Sequence, residues 1–506
     1  MRFDLVRPLD LTFALAPDLL LMAGTMILLL ASAWGAETSR RQRDVGRWSI
    51  VLCVLTLAGV VYMWWAGHTA TRGVIAVDPF RWATDVLILL GAILAIALSM
   101  DYLEREHIDI AEAHVLILFA TAGMMLLAAA RDLMIVFLGI ELMSIAVYVL
   151  AGLNRRSGRA AEAALKYFLL GAFSTGFLLY GIALVFGATG STNIADIGAA
   201  ILARNLATNA MLLAGVALLI VGLGFKVAAA PFHMWTPDVY EGAPTPMTAF
   251  MAAAVKAAAF AVFLRIWMEA FPYLNGAWHK PLWYLAVVTM VVGNVVALAQ
   301  KNIKRMLAYS SIAHAGYLLV AVVVSNFEGA SAYLFYVFAY TLATMGAFAV
   351  VMALAQTGER GQQIEDYAGL WRVRPGLSIA MAVFMLALLG FPIFGGMGFF
   401  AKWYVLQAAL RPPSQTNLAI WVVLTSLISA GYYLYVVMVM FMKARPAESP
   451  SPLKVPGMTR FVIATCAIVL LVVGIWPRPV LRVARRSLPQ LVHLSEELPR
   501  APATQP

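Results

Sequence analysis

Residues 215–267 read GVALLIVGLGFKVAAAPFHMWTPDVYEGAPTPMTAFMAAAVKAAAFAVFLRIW, two long apolar runs that each contain a lysine and are joined by a Pro- and Gly-rich segment. Lys226 precedes Pro231 by five residues, so we expect the first run to break or kink just past its charge. Lys256 follows Pro246 by ten residues, roughly 15 Å along a helix and about half of a bilayer core. Because a charge at the membrane centre is costly, two such lysines in adjacent helices indicate a function.

The composition indicates a polytopic membrane protein rather than a soluble one. Of the 506 residues, 62% are hydrophobic and 12% are charged, whereas soluble chains are about a quarter charged. The net charge of +10 lies mostly in short loops, which is typical of topology signals and not of nucleic-acid binding. The chain has two cysteines, Cys53 and Cys466, too few for a zinc or iron–sulfur ligand set. We therefore expect no cofactor on this chain.

Hydrophobic runs of about twenty residues predict an all-α integral membrane protein with about 14 transmembrane helices. We interpret the first run as a helix and not as a cleaved signal peptide, because Asp4, Asp10 and Asp18 offset the positive charge that the start of a signal peptide carries. The predicted spans are 17–36, 47–66, 80–101, 112–129, 131–152, 162–187, 209–230, 244–270, 281–300, 303–325, 329–356, 376–410 (interrupted), 417–443 and 459–476.

Two of these spans are interrupted by Gly or Pro, GLGFKVAAAPF around Lys226 and GFPIFGGMGFFAKWY around Lys402. They lie five spans apart, which indicates two inverted five-helix repeats with helices 7 and 12 interrupted, a pattern typical of transport paths. The predicted division is an N-terminal three-helix segment (1–111), a first repeat of helices 4–8 (112–270), a second, inverted repeat of helices 9–13 (281–443), and a Pro/Ser linker, last helix and basic tail (444–506).

The positive charges predict the orientation. Lys and Arg are concentrated in one alternate set of short loops, including residues 40–47, 155–159 and 301–305. The positive-inside rule places these loops in the cytoplasm and both termini in the periplasm of a multi-pass protein in a bacterial inner membrane. The arginines that closely follow Trp476 count against this orientation; they are Arg478, Arg482, Arg485 and Arg486. Because they are spread through apolar residues, they also predict a helix lying on a membrane or subunit surface.

Glu141 is the one acid that the sequence places centrally in a span. It follows Arg131 by ten residues, roughly 15 Å of helix, and shares its helix face with Ser144 and Tyr148. It is either a structural carboxylate or a proton site that serves a nearby lysine. Burial favours the neutral form of a lysine and a nearby carboxylate favours the charged form. Lys226, between these influences, can therefore load or release a proton as its partner moves.

Other polar residues have two interpretations each. Lys402, beside three glycines, is a proton site or a snorkelling lysine. His314 shares a helix face with Ser310, Ser311 and Tyr317, which is either a proton-conducting stripe or the setting of a satisfied core histidine. Lys166 follows a basic loop closely enough to be a topology residue.

Two acid-containing pairs have simpler explanations. Arg265 and Glu269 are four residues apart near a helix end, which predicts an exposed pair. Asp238 and Glu241 lie in the segment PDVYEGAPTP, where either loop geometry or proton access explains them.

The buried charges favour proton movement over other kinds of transport. A row of ionisable groups at one depth is what a lateral proton relay needs. A sugar or peptide carrier needs a roomy site of hydrogen-bonding pairs, and an alkali-ion carrier needs clustered acids or exposed carbonyls.

Several longer motifs contain these residues: GIELMS around Glu141, EAALKYFLLGAFSTGFLLYG around Lys166, GFKVAAAPFHMWTPDVYEGAPTP, VKAAAF around Lys256, QKNIKRMLAYSSIAHAGYLL and GFPIFGGMGFFAKWYV. On these motifs the sequence resembles the antiporter-like membrane subunits of respiratory complex I, and most closely their subunit N group. The resemblance covers predicted helices 4–13. Lysine at 402 distinguishes the chain from subunit M, and the lack of a long C-terminal arm distinguishes it from subunit L.

The resemblance implies a proton-translocating subunit of NADH-quinone oxidoreductase in which an acid of helix 5, lysines of helices 7 and 8 and a charge of helix 12 form a central relay. The matching residues are Glu141, Lys226, Lys256 and Lys402, with His314 and Lys166 as further members. It also implies that NADH, FMN, iron–sulfur clusters and quinone are bound by partner subunits. The implied partners are other complex I membrane subunits, the lipid bilayer and protons. The alternatives are a membrane subunit of a multi-subunit Na⁺(K⁺)/H⁺ antiporter and a purely structural scaffold.

Overall fold

The computed structural model describes residues 3–5, 7–34, 38–70, 73–393, 395–411, 415–445 and 454–488. These residues are helical, with no β-strand among them. Within them, 11 helices are long and apolar enough to cross a membrane, and shorter apolar helices lie where three further spans are predicted. The all-α membrane architecture is therefore confirmed, whereas the count of about 14 spans stays a prediction.

The helices are joined by short connections, three of which contain a 3₁₀ turn. They are α1 (Pro8–Ala14), α2 (Ala16–Ala33), α3 (Ser39–Trp65), α4 (Pro79–Arg105), α5 (Glu112–Ala128), α6 (Leu133–Ala151), α7 (Gly158–Thr189), α8 (Ile194–Ala203), α9 (Ala210–Lys226), α10 (Trp235–Gly242), α11 (Thr245–Phe250), α12 (Lys256–Glu269), α13 (Asn275–Leu298), α14 (Ile303–Val324), α15 (Phe327–Leu354), α16 (Leu370–Val373), α17 (Pro375–Leu389), α18 (Met397–Leu410), α19 (Thr416–Met442), α20 (Gly457–Ile475) and α21 (Arg478–Arg486).

Polar caps fix where many of these apolar helices begin. Asp78 accepts a hydrogen bond from the Arg81 backbone N–H at the start of α4, and Asp132 accepts one from Met134 at the start of α6. Asn302 does the same for α14 with two backbone N–H groups. Free N–H groups at a helix end are costly in a membrane, so these side chains set the helix boundaries as well as stabilise them.

The first interrupted span breaks directly after its lysine. Helix α9 ends at Lys226, and Ala228 adopts a left-handed conformation with φ 59°. The Ala229 N–H still donates to the Gly224 carbonyl at 2.8 Å, so the end of the helix remains hydrogen-bonded. The chain resumes as α10 at Trp235. The predicted break past the charge is confirmed, and it begins before Pro231 is reached.

The second interrupted span has the same plan, with a glycine at each end of the break. Helix α17 ends at Leu389, where Gly390 has φ 76°, and α18 begins after Gly396, which has φ 51°. A side chain at Gly390 would also meet the Lys402 side chain within 2.8 Å. Glycine therefore supplies both the backbone freedom and the space that this lysine needs.

Between α11 and α12 the chain makes a turn of π-helix, Met251–Val255. Helical α-structure resumes at Lys256, so the irregular turn directly precedes the second buried lysine. Such π-turns are rare in α-helices and are frequent at functional sites. The sequence contains no proline or glycine at this place that would have predicted it.

Glycines hold two helix pairs in backbone contact. A Cβ at Gly139 of α6 would lie 3.0 Å from the Leu127 backbone nitrogen of α5. A Cβ at Gly316 of α14 would lie 2.7 Å from the Met290 backbone nitrogen of α13. Each pair is the beginning of one of the two predicted repeats, and close small-residue contacts of this kind are typical of membrane helix packing.

Two outer segments complete the fold. Helix α8 between the sixth and seventh predicted spans is short and was not predicted. The basic segment after Trp476 forms helix α21, with its arginines exposed and Ala484 buried, as the pattern of the tail predicted. The predicted Pro/Ser linker at 448–452 and the end of the tail, 489–506, lie outside the described residues.

Candidate functional site

The Lys226 side chain is buried at the end of α9 and contacts the helix that carries Glu141. Its ammonium donates hydrogen bonds to Ser144 Oγ at 2.7 Å and to the Tyr148 hydroxyl at 3.3 Å. Both partners are on α6, one and two turns beyond Glu141, as the predicted shared face requires. Glu141 itself is half-buried, and its carboxylate forms no ion pair with Lys226 among the contacts of the described chain. Neutral hydroxyls, and not the acid, hold this lysine in the structure.

The Lys256 side chain has a similar setting on the next helix. Its ammonium donates to the Ser311 carbonyl at 2.6 Å and also to the Ser311 hydroxyl on α14. The Tyr340 ring lies 5.9 Å from the ammonium. The side chain is 3% exposed, and no acidic partner contacts it within the described part of the chain.

Hydroxyl groups continue from Ser311 to His314. Ser310 shares a hydrogen bond with the Tyr433 hydroxyl of α19, and that hydroxyl lies 3.2 Å from His314 Nε2. The other ring nitrogen, Nδ1, lies 2.7 Å from the Tyr336 hydroxyl of α15. Both ring nitrogens of this buried histidine are therefore hydrogen-bonded, so a proton can arrive at one nitrogen and leave from the other.

Lys402 lies at the far end of this sequence of polar groups. Its ammonium donates to the Leu389 carbonyl at 2.9 Å, the last residue of α17, and lies 4.7 Å from the Tyr317 ring centre. The helix break thus supplies the carbonyl that holds the lysine. A cavity of about 10 Å³ between α14, α15, α17 and α18 is lined by both His314 and Lys402, close to the smallest volume that accommodates a water molecule.

We name these groups the central row. Its members are Glu141, Ser144, Tyr148 and Lys226 in one group, and Lys256, Ser311, Ser310, Tyr433, His314 and Lys402 in the other. The short helix α10 contacts both groups. Its Trp235 indole N–H donates to the carbonyl of Phe225, the neighbour of Lys226, at 3.1 Å, and its ring is stacked on Tyr167 with ring centres 4.3 Å apart. The buried Tyr240 of the same helix lies beside Ser311. The structure thus brings five of the six predicted residues into one array.

Lys166 lies apart from the central row. Its side chain is 41% exposed and pairs with Glu162 at 2.7 Å and with Asp238 at 2.8 Å. Asp238 in turn accepts a hydrogen bond from Arg305 at 2.8 Å. The geometry therefore puts this lysine at the edge of the molecule, where it fixes the segment that follows the first helix break.

A second polar region lies near this edge. Lys304, which the loop pattern placed among the topology residues, is fully buried and pairs with Glu359 at 2.7 Å. Burial alone would raise the pKa of the Glu359 carboxyl, but the Lys304 ammonium and hydrogen bonds from Thr245 outweigh it and hold that pKa below its ordinary value. A cavity of about 350 Å³ adjoins this pair and is lined by Glu106, Glu241 and the basic loop of residues 156–160.

The prediction that Arg265 and Glu269 form an exposed pair is wrong. Both are buried, with 1% and 6% of their surfaces exposed. Arg265 makes two hydrogen bonds to the Asp78 carboxylate, at 2.8 and 3.1 Å, and Glu269 also pairs with Arg131 at 3.4 Å. The periodicity of one helix could not reveal this burial, because Asp78 is 187 residues away in sequence. We name the surrounding group the arginine cluster: Asp18, Asp78, Arg81, Asp85, Arg131, Arg265 and Glu269.

Comparison with known proteins assigns this arrangement to a family. Residues 130–429 match the family model described as NADH:quinone oxidoreductase/Mrp antiporter, TM. A relative named NADH-quinone oxidoreductase subunit N, from Gemmatimonas aurantiaca, is 56% identical over 488 residues, with 94% of this chain and 93% of the relative covered. The chain belongs to the NADH-quinone oxidoreductase subunit N family.

Solved structures share the fold of this chain. A chain of respiratory complex I from Thermus thermophilus is 37% identical, with a TM-score of 0.77, and the alignment covers 93% of this chain and 99% of that one. A chain of the Mrp complex from Dietzia has a TM-score of 0.80 at 19% identity, covering 96% and 98%. The second likeness shows the fold alone.

Sequence reasoning missed several polar residues of this subunit N family member. Tyr433 carries no charge and lies in an ordinary apolar span, so nothing marked it as the bridge between Ser310 and His314. Asp85, near the start of α4, is a further buried acid of a predicted span. The signal was present in the acidic and basic residues near the start of that span.

Proposed function

We propose that this chain translocates protons across the membrane as the subunit N of an NADH-quinone oxidoreductase, and that the central row carries them. The observation that carries the proposal is the set of buried lysines, hydroxyls and histidine from Lys226 to Lys402, with Lys226 and Lys402 next to the two helix breaks. Groups that accept and donate protons at one depth allow protons to move laterally through the apolar interior.

The lysines suit this role because their partners are neutral. Lys226, Lys256 and Lys402 are each held by hydroxyl or carbonyl oxygens, which accept hydrogen bonds without fixing a charge on the lysine. In a low-dielectric interior, neighbouring ammonium groups repel strongly, so a proton gained by one lysine favours its loss from the next. Such repulsion passes a change of protonation from one lysine of the row to the next.

Glu141 supplies the switch at one end. Ser144 and Tyr148, the present partners of Lys226, lie on the same face of α6 as the acid. A movement of the ammonium by about one helical turn, roughly 5 Å, exchanges the hydroxyls for the carboxylate. The paired state favours the protonated lysine, and the separated state favours release of its proton.

The other subunits supply the energy. In the proposal, NADH oxidation and quinone reduction occur in partner subunits that bind FMN, the iron–sulfur clusters and quinone. The two cysteines of this chain are too few for the four ligands of an iron–sulfur cluster. The chain is therefore a translocase subunit without a redox centre of its own, and its partners are the neighbouring membrane subunits and the lipid bilayer.

The orientation belongs to the same proposal. The basic loops lie in the cytoplasm and both termini in the periplasm, as the positive-inside rule predicts. The cavity of about 350 Å³ is lined by residues of the basic loop 156–160 and by Glu241 of α10. It therefore gives protons access from the cytoplasmic side to the helix that separates Lys226 from Lys256.

Replacement of Lys226 by Ala tests the proposal. In vesicles containing the complex, we expect Lys226→Ala to abolish most proton pumping while the complex still assembles. Lys280→Ala, which removes an exposed lysine, is the matched control and should pump normally. Full and tightly coupled pumping by the Lys226→Ala complex would contradict the proposal.

The fold similarity to a chain of the Mrp complex supports one other candidate, a membrane subunit of a Na⁺(K⁺)/H⁺ antiporter. The two functions differ in what drives transport. An antiporter moves protons in response to a sodium or potassium gradient without NADH, whereas the proposed subunit needs NADH oxidation and no alkali cation. Proton flux driven by a sodium gradient alone, in vesicles lacking NADH, would favour the antiporter.

A further inference from the structure

The arginine cluster has two halves with different charge balance. In one half, two carboxylates face two guanidinium groups: Arg265 pairs with Asp78 and Glu269, and Arg131 also pairs with Glu269. Each acid has a basic partner within 3.4 Å. The charges of this half cancel, which is the arrangement expected for a structural ion network inside a membrane protein.

The other half has one guanidinium for two acids. Arg81 of α4 is fully buried and pairs with Asp18 of α2 on one side and with Asp85 of its own helix on the other, where Arg81 Nε lies 3.4 Å from Asp85 Oδ2. Arg81 also donates to the Ala76 carbonyl at 2.9 Å, which holds the guanidinium in place. Two carboxylates therefore compete for one fixed positive charge.

The two competing acids are not equivalent. Asp18 has 12% of its side chain exposed and accepts a hydrogen bond from the Arg81 guanidinium. The Asp85 side chain is 0% exposed, and neither of its oxygens accepts a hydrogen bond from the described residues. A buried carboxylate without donors is costly, and the negative charge of Asp18 beside it adds to that cost. Asp78, at the start of the same helix, is a third acid nearby.

We propose that Asp85 holds a proton at rest and exchanges it, as a proton site outside the central row. When the Asp18–Arg81 pair opens, the O–H bond of the Asp85 carboxyl breaks and the proton passes to a water molecule at the partly exposed Asp18 side. The Asp85 carboxylate then takes the guanidinium as its partner. Closure of the Asp18–Arg81 pair reverses the step and returns a proton to Asp85.

The position of Asp85 connects this exchange to the central row. Gly91, six residues further along α4 and thus roughly 9 Å away, packs so closely on Ala254 that a Cβ would lie 2.9 Å from the Ala254 Cβ. Ala254 belongs to the π-turn that precedes Lys256. A movement of that turn therefore acts directly on the helix that carries Asp85 and Arg81. This link between Asp85 and pumping rests on the proposed function.

Infrared spectroscopy of the purified complex tests the resting proton without requiring transport. We expect the carbonyl band of a protonated, buried carboxylic acid that shifts in D₂O and disappears in Asp85→Asn. Asp18→Asn should also remove it, because Asp85 then becomes the one acid paired with Arg81 and ionises. Asp101→Asn, an acid at the other end of α4 that accepts hydrogen bonds from Thr459, is the control and should keep the band.

A pumping measurement separates exchange from a static structural role. Asn resembles the neutral acid, so Asp85→Asn should assemble normally, yet it cannot release a proton. Loss of a proton-transfer group lowers the rate of its step by on the order of 100-fold, and we expect pumping to fall accordingly. An Asp85→Asn difference spectrum without a carboxylic acid band would contradict the proposal that Asp85 is protonated at rest. Normal pumping by a variant that has lost the band would overturn the exchange. Both results are independent of the outcome for Lys226→Ala.

Discussion

The central row and the arginine cluster solve the same problem in opposite ways. Both place positive side chains inside a membrane protein, where an uncompensated charge is costly. The arginine cluster surrounds its guanidinium groups with carboxylates; Arg265, for example, pairs with both Asp78 and Glu269. The central row surrounds its lysines with hydroxyls and carbonyls, such as Ser144 for Lys226 and Leu389 for Lys402.

This difference separates permanent charge from changeable charge. Arginine stays protonated under any physiological condition, so it needs a partner of opposite charge wherever it is buried. Lysine can shed its proton when its surroundings disfavour charge, and a neutral hydrogen-bond partner is compatible with both states. The arginines of the cluster are therefore suited to holding helices together, and the lysines of the central row to carrying protons.

The largest expected effect on stability follows replacement of an arginine in the cluster. Arg265→Ala leaves Asp78 and Glu269 without their shared partner in a buried site. Breaking a buried ion pair costs about 3–5 kcal/mol, so we expect loss of assembly or a strongly lowered unfolding temperature in detergent. The control is Arg372→Ala, an exposed arginine on α16 that should leave stability unchanged. Normal stability of Arg265→Ala would remove the distinction between the two regions.

A smaller effect is expected at the Lys304–Glu359 pair, which combines a lysine with an acid. Glu359→Gln should lower the free energy of unfolding by about 2–3 kcal/mol at neutral pH. Because the pKa of Glu359 is below its ordinary value of 4.5, the stabilisation is complete above that value and is lost as the pH falls through the lowered pKa. Unfolding measured at several pH values should therefore show the wild-type advantage disappearing in acid. An advantage that grows as the pH falls would contradict the stated pairing.

Removal of the Tyr433 hydroxyl tests whether a group of the central row matters more for pumping than for stability. Tyr433→Phe deletes one hydrogen-bonding group between Ser310 and His314 and keeps the ring. The expected loss of stability is about 1 kcal/mol, whereas proton pumping should fall markedly because the row is interrupted. Tyr435→Phe is the control, since that hydroxyl bonds the exposed Glu365 instead. Equal pumping by both variants would show that protons bypass Tyr433.

The smallest effect on stability is expected for a central lysine. Lys256→Met replaces a buried cation with an apolar chain of similar length and leaves no acid unpaired. Such replacements are often neutral or stabilising, so the unfolding free energy should change by less than about 1 kcal/mol. Pumping should nevertheless be lost. A destabilisation as large as that of Arg265→Ala would mean that Lys256 is a structural charge.

The sequence predicted the parts of the site that depend on local pattern. The break after Lys226 followed from nearby Pro and Gly, and the shared face of Glu141, Ser144 and Tyr148 followed from helical periodicity. The break beside Lys402 followed from the three glycines next to it in the sequence. In each case the deciding residues are within about ten positions of one another, so the geometry of one helix was sufficient.

Contacts between distant helices were beyond the reach of that reasoning. Arg265 was predicted exposed because its partner Asp78 lies in another span. Lys304 was counted as a loop residue, although Glu359 and the Ala243 carbonyl hold it in a buried position. A single sequence gives the depth of a charge but not which helices surround it. The choice between a topology residue and a buried ion pair therefore needed the structure.

The glycine contacts of α5 with α6 and of α13 with α14 have a mechanical consequence. Backbones that touch at Gly139 and Gly316 leave no layer of side chains between the helices to deform. Each helix pair therefore moves as one stiff unit. Helices α6 and α14 carry the hydrogen-bond partners of Lys226 and Lys256. The lysines themselves lie next to the helix break and the π-turn, the compliant parts. In the proposed mechanism, proton transfer therefore moves the segments at the helix break and the π-turn relative to two rigid helix pairs.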